Sequence, residues 1–331
     1  MPEPFREFDG ARALITGGLG FIGSNLARRL ADLGARVTVL DSLIPEYGGN
    51  LFNLDGYEDR VRINIGDMRD EHGINHLVRD QQFIFNLAGQ TSHLDSMQDP
   101  FTDLDINCRS QLYLLEACRK HNPRVRIVYT STRQVYGRPV RLPVDEDHPL
   151  SPVDINGVHK LAGCWYSVLY HRNYGLQTTS LRLTNTYGPR MRVRDARQTF
   201  VGLWLRQLIE GNEIEVYGDG TQARDLNYVD DVINAILLAA LSPNTNGQIY
   251  NLGGDEVISL ITLARLLIEL NGSGSYRLVP FPPDRKIIDV GDYYANFSRI
   301  QRCLGWRPTV KLRDGLARTL EYYRADHAYY W

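Results

Sequence analysis

The sequence has few cysteines, and those it has do not form a recognisable pattern. Only four occur in 331 residues, and none stands in a CxxC pair or beside a cluster of histidines. A disulfide scaffold and a metal site are therefore not predicted, and free thiols suit a reducing cytoplasm. The four positions are Cys108, Cys118, Cys164 and Cys303.

The sequence also has no large excess of positive or negative charge and no long apolar run. The formal net charge is only -2, so no broad basic field for nucleic acid is predicted. No apolar run approaches membrane-spanning length, and residues 1–10 lack the apolar core of a signal peptide. We therefore expect a cytoplasmic protein that binds neither nucleic acid nor membrane.

The first half of the chain alternates strand-like and helix-like segments. With 43% hydrophobic residues, the chain can bury a sizeable core. The alternation predicts an α/β fold with a doubly wound parallel (Rossmann) sheet in residues 1–187. Beyond Tyr187 the pattern is less regular, and residues 188–331 are predicted to form a smaller substrate-binding region with two helical stretches, interleaved with the sheet. The predicted strands are residues 12–16, 37–40, 83–87, 126–130 and 178–183.

A glycine-rich loop carries the clearest cofactor signal. Gly17, Gly20 and Gly23 follow a predicted strand and precede an amphipathic helix, so the loop can turn tightly and present backbone N–H groups to a pyrophosphate. Asp41 ends the next predicted strand, where its carboxylate can bond ribose hydroxyls and would repel a 2′-phosphate. The pattern predicts NAD rather than NADP.

Several separated motifs, including residues 17–23, 66–69, 86–90, 182–189 and 216–225, resemble those of extended short-chain dehydrogenases/reductases. The resemblance is to the NAD-dependent nucleotide-sugar epimerase and dehydratase type (UDP-glucose 4-epimerase-like), and it covers nearly the whole chain. It implies a nucleotide-diphosphate sugar as substrate, with a UDP-sugar favoured. The residues it implies for NAD are Gly17, Gly20, Phe21, Ile22, Gly23, Asp41, Asp67, Met68, Leu87, Ala88, Gln90, Asn107 and Lys160.

The same resemblance implies a substrate site with arginines for the diphosphate. The alternative role for Arg224 and Arg285 is to form surface ion pairs, Arg224 with Asp225 and Arg285 with Asp289. The implied substrate residues are His93, Arg133, Gln134, Asn185, Tyr217, Gln222, Arg224, Arg285 and Asp289.

The catalytic centre departs from the family pattern. Thr132 and Lys160 match the threonine and lysine of the family, but Asn156 stands where the resemblance places a tyrosine, four residues before the lysine. An amide has no proton-accepting state near neutral pH, so Asn156 cannot be the general base. Either another group removes the proton or the redox activity has been lost.

His93 is the preferred replacement base, with hydrogen bonding to substrate or structure as its alternative role. His159 is a weaker choice, because on a helix it should point about 100° away from Lys160. Asp95, Tyr136 and Tyr187 stand in or beside motifs expected to border the pocket.

The residues after Thr132 narrow the reaction. Dehydrating relatives usually place an acid pair there, whereas this chain has Arg133 and Gln134, which cannot deliver and remove protons. Epimerisation is therefore favoured over dehydration or decarboxylation. The alternatives are a disabled NAD and nucleotide-sugar sensor, and a dehydratase with displaced acids. Two roles remain open for Arg133: it binds a sugar carboxylate, such as that of a uronic acid, or it forms a surface ion pair.

The resemblance also implies a homodimer. Residues 101–121 and 157–174 match the two helices that pair across the dimers of the family. The alternative is a monomer in which these helices only cover the sheet.

Overall fold

The structure is a computed structural model that describes residues 3–197 and 199–331. Met1 and Pro2, which belong to the polar start of the chain discussed above, lie outside the described residues, as does Gln198. Among the helices that are described, none combines the length and the apolar character needed to cross a membrane.

The chain alternates strands and helices through most of its length. The strands are β1 Arg12–Thr16, β2 Arg36–Asp41, β3 Val61–Ile65, β4 Phe83–Asn86, β5 Arg126–Thr132, β6 Gln177–Leu183, β7 Asn185–Tyr187, β8 Ile214–Tyr217, β9 Ala223–Tyr228, β10 Gln248–Asn251, β11 Val257–Ser259 and β12 Tyr276–Val279. The helices are α1 Phe21–Asp32, α2 Glu71–Leu77, α3 His93–Gln98, α4 Pro100–Leu104, α5 Ser110–His121, α6 Ile155–Tyr174, α7 Phe200–Ile209, α8 Val229–Leu241, α9 Leu260–Asn271, α10 Pro283–Ile287, α11 Ser298–Leu304 and α12 Leu312–Asp326.

Seven strands form one parallel sheet in the order β10-β6-β5-β4-β1-β2-β3. The strand order reverses between β1 and β4, and in such sheets ligands bind outside the carboxyl ends of the strands at this reversal. All four residues of β4 are buried, as expected for a central strand with helices on both faces. The predicted doubly wound α/β fold is confirmed.

All five predicted strands are present, with small differences at their ends. Two strands of the large sheet, β3 and β10, were not predicted. Arg62 and Asn64 interrupt the apolar residues of β3, and Gln248 and Asn251 bound those of β10, so neither strand forms a continuous apolar run. The expectation of two helical stretches beyond residue 187 was wrong, since α7, α8, α9 and α12 each have ten residues or more. The glycines and prolines that suggested irregular structure stand at the ends of helices, such as Pro243 after α8 and Gly272 after α9.

Two smaller sheets lie in the second half of the chain, one in the order β11-β9-β7 and one that pairs β12 with β8. Strand β10 also comes from this half but belongs to the large sheet, through its parallel pairing with β6. The division into residues 1–187 and 188–331 stays a prediction.

Helix α1 shows how the site is positioned. Its buried face, which includes Leu26, Ala27 and Leu30, joins the main hydrophobic core with β1 and α8. Burying such a face fixes the helix axis, so the start of α1 is held at the carboxyl end of β1. The same arrangement brings the loops after β4, β5 and β6 to one edge of the sheet.

Candidate functional site

A cavity of about 250 Å³ lies at the carboxyl ends of β1, β4, β5 and β6. Most of the residues predicted for cofactor, catalysis or substrate meet there. Those that line it are Gly17, Gly20, Phe21, Ile22, Gly23, Asp41, Asp67, Met68, Leu87, Ala88, Gln90, His93, Thr132, Arg133, Gln134, Asn156, Lys160 and Asn185.

The glycine loop is packed too closely for side chains at two of its positions. A Cβ at Gly17 would lie 2.9 Å from the backbone of Ala88, and one at Gly23 would lie 2.1 Å from the carbonyl oxygen of Gly17. Gly17 also has a φ of +70°, which favours glycine. Gly20 precedes α1 without a side-chain cap, so the first N–H groups of this helix are available to an anion. The loop therefore fits a pyrophosphate.

Asp41 fits the ribose of a dinucleotide. Its two carboxylate oxygens accept hydrogen bonds from the N–H groups of Leu43 (2.8 Å) and Leu19 (3.0 Å). These bonds fix the carboxylate between the loops that follow β1 and β2 and leave each oxygen a further lone pair. Burial raises the pKa of Asp41, against the opposing effect of the backbone hydrogen bonds.

Asp67 and Met68 line the same end of the cavity. Met68 is buried among Leu14 and Leu40, while Asp67 is partly exposed and forms an ion pair with Arg69 at 2.6 Å. The hydrogen bond from Arg69 lowers the pKa of Asp67, so the carboxylate is ionised at neutral pH. The apolar side chain of Met68 and the carboxylate of Asp67 thus both line the cavity, as predicted.

Lys160 reaches the cavity from inside α6. Its Nζ donates to the carbonyl oxygen of Thr130 at 3.4 Å and lies 5.2 Å from the centre of the Tyr129 ring. Burial lowers the pKa of Lys160 to about 8. Thr132 ends β5 at the other side of the cavity, where its Oγ1 accepts a hydrogen bond from the N–H of Gln134.

Asn156 is buried at the base of the cavity with its amide orientation fixed. Its Nδ2 donates to the carbonyl oxygen of Gln90 at 2.8 Å and to Asp103 Oδ2 at 3.2 Å. Both partners are acceptors, so the amide nitrogen faces them and Oδ1 is the atom left for the cavity. On the far side of Asp103, its Oδ1 lies 2.6 Å from Nδ1 of His159. His159 does not line the cavity, in agreement with its expected direction.

His93 lines the cavity at the start of α3 and is backed by a buried carboxylate. Its Nδ1 lies 3.0 Å from Asp154 Oδ2, at an angle outside ordinary hydrogen-bond geometry. Gln134 Nε2 donates to the same oxygen at 2.7 Å, and Asp154 also caps α6 through the N–H of Gly157. Although burial pushes the pKa of Asp154 upward, its contacts with His93, Gly157 and Gln134 hold it below the usual value.

Arg133 is only partly exposed and forms no ion pair with any residue that the structure describes. Its Nη2 donates to Asn185 Oδ1 at 3.1 Å, and its guanidinium lies 5.1 Å from the centre of the Tyr293 ring. Arg133 Nη1 and Asn185 Nδ2 are buried and have no hydrogen-bond partner among the described residues. Of the two sequence readings, the surface ion pair is therefore wrong.

The other predicted substrate residues form a cluster beside the cavity instead of lining it. Arg224 is buried and contacts Asp289 at 3.4 Å, Gln222 Nε2 donates to Asp289 at 3.3 Å, and Arg285 lies over the Tyr217 ring. The expected alternative pairs, Arg224 with Asp225 and Arg285 with Asp289, were both wrong, since Arg224 pairs with Asp289. Burial lowers the pKa of Arg224 to about 10.

This cluster is joined to the cavity through a backbone contact. Gln134, which lines the cavity, donates to the carbonyl oxygen of Ile288 at 3.2 Å. Ile288 directly precedes Asp289 of the cluster. A single extended ligand could therefore span both.

Four expectations about individual residues need correction. Asn107 does not line the cavity; it is buried and donates to the carbonyl oxygen of Gln90 and to Asp103, so it supports the strand end from behind. Tyr136 and Tyr187 are fully buried core residues. Asp95 forms an ion pair with Arg197 at 2.9 Å and does not line the cavity either.

Three residues of the site were missed. Asp154 could have been found from the helix that begins just after it, because aspartate is a preferred N-cap. Asp103 stands four residues before Asn107, a spacing that places two side chains together on a helix. Tyr47 lines the cavity from the loop after β2, and the sequence carries no signal for it.

The fold and the site define a class: a doubly wound enzyme fold with a dinucleotide site at the strand reversal. The particular family follows from comparison. Residues 13–253 match the model of the NAD dependent epimerase/dehydratase family, so the chain belongs to that family and its cofactor is NAD.

Relatives with different activities resemble the chain over nearly its full length. A putative UDP-glucose 4-epimerase of Methanocaldococcus jannaschii is 30% identical, covering 95% of this chain and 99% of the relative. The UDP-glucose 4-epimerase of Thermotoga maritima, solved with UDP-glucose, has a TM-score of 0.87 at 30% identity, covering 96% of this chain and 99% of that one. A dTDP-glucose 4,6-dehydratase of Streptomyces venezuelae, solved with NAD, has a TM-score of 0.87 at 31% identity, covering 96% and 98%.

Proposed function

We propose that the protein epimerises a nucleotide-diphosphate sugar, a UDP-sugar by preference, with His93 as the general base. The observation that carries the proposal is the position of His93, which lines the same cavity as Thr132, Asn156 and Lys160 and is backed by buried Asp154. A proton acceptor is thus present although the tyrosine of the family is missing.

NAD⁺, held by the glycine loop and Asp41, would supply the redox chemistry, a reversible transfer of hydride at a sugar carbon. The protein residues handle the proton. With Nδ1 of His93 against Asp154, the nitrogen left for the substrate is Nε2, which takes the hydroxyl proton as the hydride departs and gives it back on return. The Asp154 carboxylate stabilises the imidazolium between these two steps.

Thr132 and Asn156 position the reacting hydroxyl. In this proposal Asn156 Oδ1 accepts a hydrogen bond from the substrate hydroxyl and directs its proton, without removing it. Lys160 binds the nicotinamide ribose, as the resemblance implies. The fixed Asn156 amide thus replaces the orienting part of the missing phenol, and His93 replaces its basic part.

Dehydration is less well supported by the charges of the site. The acid nearest to His93 is Asp154, and its lowered pKa makes it a poor proton donor. Arg133 and Gln134 stand where dehydrating relatives carry acids and cannot donate protons in elimination.

The test follows nucleotide sugars by NMR in D₂O with the NAD-loaded protein. Epimerisation should convert one sugar to its epimer without placing deuterium on the reacting carbon, because the hydride returns from the cofactor. Loss of water from the sugar would contradict the proposal in favour of a dehydratase. Binding without conversion of any sugar in the set would favour the sensor.

We also infer a homodimer formed by α4, α5 and α6. Val158, Trp165 and Leu169 are exposed, and their spacing places them on one face of α6. Helix α4, which carries exposed Phe101, packs against α6. Replacing Trp165 by glutamate should convert the dimer to a monomer, measured by light scattering during size-exclusion chromatography. The cysteines are free, which supports the reducing cytoplasm as the location.

A further inference from the structure

Arg133 is a cation whose charge is not balanced by any acid in ion-pair contact among residues 3–197 and 199–331. The guanidinium lines the cavity beside Thr132, and its one hydrogen bond to another side chain goes to the neutral amide of Asn185. Nη1 is buried without a partner, as is Asn185 Nδ2 next to it. Two neighbouring donors at the same place therefore lack acceptors among the described residues.

The acids near Arg133 are committed to other groups. Asp225 accepts from Thr184 Oγ1 at 2.6 Å and from the backbone N–H groups of Gly254 and Ala295. Asp289 pairs with Arg224, and Asp154 lies against His93. For Arg133 to form an ion pair with any of these carboxylates, an existing contact of that carboxylate would have to break.

A guanidinium with a buried N–H group that has no acceptor is costly to the protein. Burial opposes the charged form and lowers the pKa of Arg133, and neighbouring Arg224 adds a second positive charge. Such an arrangement is explained if an anion completes it during function. A carboxylate can accept a hydrogen bond on each of its two oxygens, which suits the two available donors, Arg133 Nη1 and Asn185 Nδ2.

The position of Arg133 decides which part of the substrate this anion belongs to. Arg133 stands between Thr132 and Gln134, and Gln134 donates to the same Asp154 carboxylate that lies against His93. Two other arginines, Arg224 and Arg285, lie in the neighbouring cluster, where the resemblance implies the diphosphate site. Arg133 is therefore left for a charge on the sugar itself.

We propose that the substrate is a nucleotide-linked uronic acid whose sugar carboxylate is bound by Arg133. This inference rests on the proposed function, because it takes the ligand of the cavity to be a nucleotide sugar. It adds a specificity: a neutral hexose lacks the group that pairs with Arg133, so the protein selects the acid over the alcohol at the same carbon.

The test compares UDP-glucuronate with UDP-glucose, two ligands that share nucleobase and diphosphate. Their dissociation constants are measured by calorimetry with the NAD-loaded protein and its Arg133→Gln and Arg133→Lys variants. Arg126→Gln is the matched control, since Arg126 begins β5, the strand that ends one residue before Arg133; it pairs with Glu7 and does not line the cavity. Thermal melting reports whether each variant is folded.

The unmodified protein should bind UDP-glucuronate about 30-fold or more tightly than UDP-glucose. Arg133→Gln should weaken the binding of UDP-glucuronate far more than that of UDP-glucose and so abolish this preference. Arg133→Lys should retain part of the preference, and Arg126→Gln should retain all of it. A preference for the acid without any turnover would support this inference while the epimerase proposal fails.

Three results would overturn the inference. One is equal affinity of the unmodified protein for the two ligands. Another is equal weakening of both ligands by Arg133→Gln, which would assign Arg133 to the diphosphate. The third is binding of neither ligand, which would also contradict the nucleotide-sugar function.

Discussion

The cavity has two halves, and different kinds of chemical group form them. The cofactor half, around the loops after β1 and β2, consists of glycines, backbone N–H groups and Asp41, whose oxygens are both held by the backbone. The substrate half, around the loops after β4, β5 and β6, consists of charged and amide side chains that bind one another or, as for Arg133 and Asn185, keep buried donors unpaired.

This difference follows from what each half has to recognise. A pyrophosphate can be bound by any backbone that turns tightly at a helix start, so side chains are excluded there. A particular sugar must be distinguished from similar ones, and that requires polar groups whose partners are supplied by the correct ligand. We therefore expect added side-chain bulk to disrupt NAD binding in the cofactor half. In the substrate half, we expect the loss of a single polar group to disrupt turnover.

The largest expected effect is in the substrate half. His93→Gln keeps a polar side chain but removes the base, so kcat should fall by about 10²- to 10⁴-fold while NAD binding is unchanged. Turnover is measured with the sugar that the NMR screen identifies, and NAD binding by fluorescence titration. Unchanged turnover would remove His93 as the base and require another proton acceptor.

The next effect tests the steric character of the cofactor half. Gly17→Ala should weaken NAD binding at least about tenfold and cost ~2 kcal/mol more stability than Gly10→Ala, because only at Gly17 would the Cβ collide with Ala88. Gly10 is the matched control, since its φ of +71° is nearly that of Gly17 and nothing lies within 4 Å of its added Cβ. Urea unfolding of both variants gives the comparison, and equal losses would show that only backbone strain matters.

A smaller effect concerns Lys160, which lies between the two halves. Its pKa falls from 10.5 to about 8 on folding, so between these pH values the unfolded chain binds more protons and stability rises with pH. Relative to Lys160→Met, the NAD-free protein should gain ~2–3 kcal/mol of unfolding free energy between pH 8 and pH 10.5 and nothing below pH 7. Denaturant unfolding across this range measures the difference, and a constant difference would mean that Lys160 is not desolvated.

The smallest effect is expected for Arg69→Gln in the cofactor half. The Arg69–Asp67 pair is partly exposed, so its loss should change stability by less than about 0.5 kcal/mol and NAD affinity by less than about threefold. Titration with NAD checks this expectation. A tenfold loss would show that a charged side chain contributes to this half as well, against the contrast drawn above.

The predictability of each residue depended on how local its signal was. The strand, glycine loop and helix from Arg12 to Asp32 lie within one continuous segment, so their packing could be anticipated and the structure agrees. Asp103 and Asn156 are far apart in the sequence and meet only because α4 and α6 pack together. The pairing of Arg224 with Asp289 is equally distant, and neighbouring acids suggested the wrong partner.

The sequence by itself determined the alternating fold, the NAD loop, the family and the absence of a tyrosine four residues before Lys160, since these depend on local residue types and their spacing. Only the tertiary structure decided what replaces that tyrosine. It set His93 against Asp154, fixed the Asn156 amide with its oxygen toward the cavity, and left the buried Nη1 of Arg133 without an acceptor among the described residues. Proton transfer and charge recognition depend on distances between side chains from different elements, and folding alone determines those distances.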